Sequence, residues 1–267
     1  MSLTLFLATW AAVLGALIGS FLNVVIYRVP AGRSIVRPPS ACPGCKTPIS
    51  ARDNVPVLSW LALRGRCRSC AEPISRRYPA VELLTAVLFV AVVLRFASGT
   101  PADLWAVPAF WVLAGLAVSL SAIDLDVQRL PDPIVFFGYA AGGGLLVSAS
   151  LLGAGDGTDA LIRAAIGGVG MYVFHFVLMF AWPAGMGFGD VKLSLLTGMF
   201  LAWLGWGPLA VGVTSSYVLG VVFAAVLAAT GHKTKGIPFG PSMFAGVALG
   251  VAFGEPLWAA YLTTVGL

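Results

Sequence analysis

Charge is what this chain has least of. Only 10% of its 267 residues are charged and 59% are hydrophobic, whereas a water-soluble domain carries roughly 25% charged residues. That deficit excludes an ordinary soluble globular enzyme. Histidine is scarcer still: His175 stands alone in an apolar run and His232 alone in a loop. No Ser-His-Asp or Cys-His set is available for nucleophilic catalysis, and both histidines read as structural. Low-complexity tails and internal repeats are missing. Hydrophilic sequence is confined to one sizeable stretch, 28–79, which also holds all four cysteines.

What fills the rest is apolar. Runs recur at 3–27, 80–97, 104–123, 133–152, 160–182, 191–204, 208–230 and 238–265. Most reach the roughly 17–25 residues that span hydrocarbon; 191–204 is short. The first run lacks a basic start and a small-residue cleavage site, and reads as a retained helix rather than a signal peptide. The 32 glycines suit closely packed membrane helices. The expected fold is an all-α polytopic membrane protein of about eight transmembrane helices with a small cytoplasmic zinc-binding loop domain. The first transmembrane helix is assigned to 1–27, the four-cysteine loop to 28–79 and a seven-helix membrane domain to 80–267.

Net charge is +5, and ten of the 16 Lys and Arg lie between Arg28 and Arg77. Placing that segment in the cytoplasm obeys the positive-inside rule. With eight spans Arg129, Lys192, Lys233 and Lys235 also fall inside, leaving Arg95 and Arg163 outside. Both termini are then extracytoplasmic. The basic residues are explained by topology and anionic lipid, without nucleic acid as a partner.

Two acids interrupt apolar sequence. Asp124 in "SAIDLDVQRLPDP" is expected to end the third helix, and Asp190 in "GMGFGD" to begin the sixth. Helices running in opposite directions put both at the cytoplasmic edge, where they could meet. A carboxylate in a membrane segment costs roughly 2.5–3.5 kcal/mol, so such acids are either solvated among headgroups or paired for a purpose. Two close carboxylates share one proton, which suits them to activate a water and polarise a carbonyl. A proton or cation path in a transporter would sit nearer the bilayer midplane. Gly187 and Gly189 are expected to leave the backbone soft and let an extended substrate approach Asp190. Asp126 should face away from Asp124. Asp132 should cap the fourth helix, with Pro133 at its first position. Lys192 either snorkels to the headgroups or biases the acid pair.

The cysteines form "CPGC" and "CRSC", Cys42, Cys45, Cys67 and Cys70, in the pattern C-x2-C-x21-C-x2-C. This is the paired-knuckle spacing of a structural zinc site. Dithiol chemistry and unmetallated thiols are the alternatives. The apolar piece "NVPVLSWLAL" is expected to fold over that site or dock on the membrane helices.

Together these motifs resemble one family, the bacterial type IV prepilin peptidases, which are bifunctional leader peptidases and N-methyltransferases. The resemblance is carried by "GSFLNVVIYRVP" (19–30), the cysteine segment from 42 to 82, "IDLDVQRLPD" (123–132), "GMGFGDVK" (185–192) and "IPFGP" (237–241). The second aspartate motif is a GxGD site of the kind shared with presenilin-like membrane aspartic proteases. The resemblance implies that Asp124 and Asp190 are the catalytic pair, so that 80–267 is a membrane aspartic peptidase domain. It also implies that Cys42, Cys45, Cys67 and Cys70 bind metal, and that Gly187, Gly189, Lys192, Pro238 and Gly240 line the substrate. The implied substrates are type IV prepilins or pilin-like pseudopilins, cut at the cytoplasmic face of the inner membrane. The implied second step is methylation of the new N-terminus from S-adenosylmethionine. No glycine-rich Rossmann fingerprint marks a methyl-donor site; Gly65, Arg66 and Glu82 are the residues put forward for it. A peptidase-only relative, with the cysteine loop serving structure, is the neighbouring reading.

Overall fold

The computed structural model describes residues 2–97, 99, 101–153, 157–182, 185–230 and 236–266. His232, Lys233 and Lys235 lie outside the described residues. The described residues are mostly helical, with two isolated β-bridges and no longer strand among them. The chain forms two compact units, Met1–Thr100 and Pro101–Leu267.

In the first unit α1 (Leu3–Arg28) packs along α3 (Arg77–Ala97). Gly15 and Gly19 are four residues apart, on one face of α1. A Cβ at Gly15 would lie 2.7 Å from the Ala86 Cα, and one at Gly19 2.7 Å from the Glu82 Cα. Helices without a hydrophobic force between them associate through such close backbone approach. Asn23, one further turn along, donates its amide to the Tyr78 carbonyl at 3.1 Å.

The second unit is built around α4 (Val107–Val127), whose Leu120 and Ile123 are fully buried. The next helix begins as α5 (Asp132–Phe137), passes through a π-helical turn at Gly138–Gly142 and continues as α6 (Gly143–Leu152). A Cβ at Gly138 would strike Leu116 of α4 at 2.7 Å. At Gly142 it would strike Phe200 at 2.8 Å. Two close pairs follow: α7 (Gly157–Ala181) with α8 (Phe188–Leu204), and α9 (Trp206–Ala229) with α10 (Gly240–Thr264). Val191, Leu193, Leu196 and Phe200 of α8 are all fully buried.

Among the described residues seven helices are long and apolar enough to cross a membrane: Leu3–Arg28, Arg77–Ala97, Asp103–Val127, Asp132–Leu152, Gly157–Ala181, Trp206–Ala229 and Gly240–Thr264. The remaining apolar run, 191–204, falls on α8, with 17 residues. At 1.5 Å per residue it is about 25 Å long, a little less than the roughly 30 Å of a bilayer's hydrocarbon core. The helix boundaries expected from the apolar runs are met closely, with one informative exception. The third helix does not stop at Asp124 but runs on to Val127, because the stop is Gln128, in the left-handed conformation (φ 51°, ψ 45°). Its N–H closes onto the Asp124 carbonyl at 2.9 Å. Asp124 is therefore held inside the last helical turn.

Candidate active site

Three helix ends converge on Asp124 and Asp190. Asp124 is 5% exposed. Its Oδ2 accepts a hydrogen bond from the Gly240 N–H at 3.0 Å, so the positive end of the α10 dipole points at this carboxylate. Asp190 is partly buried in the first turn of α8. Its Oδ2 accepts from the Gly187 N–H at 3.2 Å, a capping contact that fixes the side chain over its own helix start. The carboxylates lie within electrostatic reach of one another. Leu130 packs against Gly189 of α8 and Gly240 of α10: a Cβ at Gly189 would meet its Cβ at 3.2 Å, and one at Gly240 its Cδ2 at 3.5 Å. Asp126, two residues from Asp124, is exposed, so the two neighbouring acids face different surroundings as helical spacing requires.

Several residues sit differently from the sequence reading. Gly187 is extended (φ −83°, ψ 152°), a conformation open to any residue, and Gly189 lies inside α8. Gly189 is small because Leu130 fills the space that a side chain would need. At Gly187 the nearest atom to an added Cβ is the Asp190 Oδ2, at 3.6 Å, which leaves this backbone open on that side. Asp132 is not the N-cap of α5. That place is taken by Pro131, so Asp132 is the first helical residue. Its carboxylate instead forms an ion pair with the Lys192 ammonium. Lys192 also lies over the Phe188 ring, 5.2 Å from its centroid, and its carbonyl accepts from the Tyr139 hydroxyl at 2.6 Å. The start of α8 is thus clamped to the start of α5. Pro238 and Gly240 are buried in the approach to α10.

Two contributions at this rim escaped the sequence reading. The Gln128 side chain donates to the Gly236 carbonyl at 2.5 Å, tying the end of α4 to the segment before α10. Tyr139 holds the first turn of α8. Neither carries a local signal, because each acts on a partner more than fifty residues away.

In the first unit the cysteines come together as two copies of one turn. Cys42 and Cys67 each accept at their carbonyls from the residue four further on, Lys46 and Ala71. Both of those residues are left-handed, at φ 60° and 59°. The bridges Ala41↔Pro48 and Arg66↔Pro73 close the two turns. All four sulfurs lie within 4.8 Å of one another; Cys42 and Cys70 are 3.7 Å apart, and Cys45 and Cys67 4.0 Å. A tetrahedral ion with 2.3 Å metal–sulfur bonds needs sulfurs about 3.8 Å apart, so the tetrad fits a metal ion. The electrostatics agree. Hydrogen bonding at the Thr47 hydroxyl and backbone lowers Cys45 to about 6. At Cys70 the Glu72 backbone hydrogen bond pulls the thiol down, but the Cys45 sulfur, burial and the other two sulfurs outweigh it and push the group up to about 12. Without a cation the four thiols cannot ionise together.

The residues put forward for a methyl donor have structural partners. Glu82 is buried and accepts from the Val57 N–H at 2.7 Å, which docks the apolar segment of α2 (Leu58–Ala62) on α3. Gly65 is left-handed (φ 68°), and a Cβ there would lie 2.8 Å from the Trp60 indole. Arg66 takes part in the second bridge. These contacts give Gly65 and Glu82 structural roles in the first unit.

Fold and site define a multi-pass membrane protein that brings two carboxylates, carried on helices of opposite direction, to one rim. Comparison with known proteins makes the class specific. The model of the bacterial peptidase A24 N-terminal domain matches residues 13–96, and that of the type IV leader peptidase family matches 111–232. A prepilin leader peptidase/N-methyltransferase of Aeromonas hydrophila is 38% identical over 278 residues, covering 92% of this chain and 91% of its own. Proteins of the same description from Myxococcus xanthus (42% over 233 residues; 85% of this chain, 66% of its own) and Neisseria gonorrhoeae (35% over 265; 87% and 86%) are also similar. No solved structure matches the chain. The chain belongs to the type IV leader peptidase family.

Proposed function

We propose that this protein cleaves the leader peptides of type IV prepilins and pilin-like pseudopilins at the cytoplasmic face of the inner membrane, with Asp124 and Asp190 as the catalytic pair. The observation that carries this reading is the convergence of both carboxylates on one rim, each oriented by a backbone N–H from a helix start. One carboxylate, ionised, activates a water. The other, protonated, polarises the scissile carbonyl and then protonates the leaving amine. Gly187, open beside Asp190, gives an extended substrate backbone room to approach. A prepilin has a polar leader and an apolar helix, so its scissile bond rests at the interface where this rim lies. The concentration of Lys and Arg between Arg28 and Arg77 supports a cytoplasmic rim.

The four-cysteine tetrad is assigned to Zn2+, which would hold the two turns together as a structural ion. The second activity is N-methylation of the newly exposed terminus, with S-adenosylmethionine as donor, as the description of the relatives suggests. The test is incubation of the purified protein with a prepilin peptide, read by mass. The expected products are leader and mature fragments, the mature fragment gaining one methyl mass only when S-adenosylmethionine is added. Intact peptide in both reactions would refute the peptidase reading; a cut but never methylated fragment would refute only the second activity.

A further inference from the structure

The lone histidine of the apolar helix is not alone in space. His175 is 1% exposed. Its Nδ1 lies 2.9 Å from the Met171 carbonyl, one turn back on α7. Two acceptors cannot face each other at that distance, so Nδ1 carries the proton. In the neutral ring Nε2 is then an acceptor, and the Tyr217 hydroxyl of α9, 3.1 Å away, donates to it.

The surroundings of this pair lead to both aspartates. The Met171 carbonyl is also 3.1 Å from the Ser194 hydroxyl. Ser194 lies four residues after Asp190, on the same face of α8. On the other side the Tyr217 ring lies 5.5 Å from the ring of Phe239, the residue before Gly240, whose N–H holds Asp124. The Tyr217 hydroxyl is within electrostatic reach of Asp190. A path of contacts therefore runs from Ser194, one turn beyond Asp190 on α8, through α7 and α9, to Phe239 at the start of α10.

We propose that His175 and Tyr217 are positioning residues for the aspartate pair. Their hydrogen bond is a strut beneath Asp190 that sets the start of α8 against the start of α10, and so sets the spacing of the two carboxylates. The inference rests on the reading of Asp124 and Asp190 as the peptidase pair. Neither residue touches substrate in this account. Their loss should lower kcat and leave KM almost unchanged, because misplacement of reacting groups by about 1 Å costs up to about a hundredfold in rate.

The test compares purified full-length variants in detergent, each assayed well below its own unfolding midpoint, with a prepilin peptide as substrate. Tyr217→Phe keeps the ring on Phe239 and removes only the hydroxyl. His175→Leu removes the acceptor, whereas His175→Gln places an amide near the position of Nε2. Ser216→Ala is the control: it removes a buried hydroxyl from the same helix, one bonded to the Gly212 and Met243 carbonyls and not to His175. The expected result is a fall in kcat of at least about tenfold for Tyr217→Phe and His175→Leu, with KM within about twofold. His175→Gln should retain more activity than His175→Leu, and Ser216→Ala should stay within about twofold of the parent. If Tyr217→Phe loses no more kcat than Ser216→Ala, or if KM absorbs the change, the positioning role is wrong. Asp124→Asn and Asp190→Asn run alongside: cleavage surviving in them would refute the catalytic pair itself, separately from the strut.

Discussion

A methyl group in place of one hydrogen of Gly240 would put a carbon 2.9 Å from Oδ2 of Asp124. That is closer than the two atoms can sit, and the atom displaced would be the carboxylate itself. Gly240→Ala is therefore expected to lower cleavage by at least about tenfold while the protein still inserts and purifies as the parent does. Peptide cleavage rates at saturating substrate check it; a parental rate would show that the carboxylate has other room. The same scale explains what could and could not be read from sequence. Both aspartates were legible because a carboxylate in apolar sequence stands out. The partners of Asp132 and Gly189 were not. Lys192 is sixty residues from Asp132, and Leu130 is fifty-nine from Gly189; the local pattern suggested a cap for one and backbone freedom for the other.

Among the elements, helices were more legible than their ends. Apolar run length located the long helices within a few residues, since burial in lipid and packing act on the whole segment. The end of α4 was misplaced by one turn because Gln128, a non-glycine residue, takes a left-handed conformation there. Such a conformation is rare outside glycine, asparagine and aspartate, so composition gives no warning of it. The cysteine turns were legible for the opposite reason: a repeated C-x2-C spacing leaves few geometries. On the zinc assignment proposed above, metal binding supplies part of the folding free energy of these turns. Cys42→Ser should cut bound zinc from about one ion per chain to well under half of that. Elemental analysis of the purified protein checks this, and undiminished metal would mean that the buried Cys42 thiolate is not a ligand.

At the scale of the whole molecule, two compact units carry different chemistry. The first gathers four thiols into a metal-binding geometry beside a glycine-mediated helix pair. The second wraps α8 and α4 in helices that leave their two acids at one rim. Family membership and the membrane-spanning helices fit a peptidase that acts on a substrate resting in the same bilayer. The account's central claim is that Asp124 and Asp190 act as one catalytic unit. Asp124→Asn and Asp190→Asn measure it most directly, each purified in detergent and given a prepilin peptide with the product followed by mass. Each substitution replaces a carboxyl group by a neutral amide of nearly the same size, so the fold should survive, and members of one catalytic unit fail together rather than additively. The account predicts no detectable cleavage by either variant alone, with methyl transfer to a peptide supplied already cut still proceeding in Asp190→Asn. Substantial cleavage by either well-folded variant would contradict it.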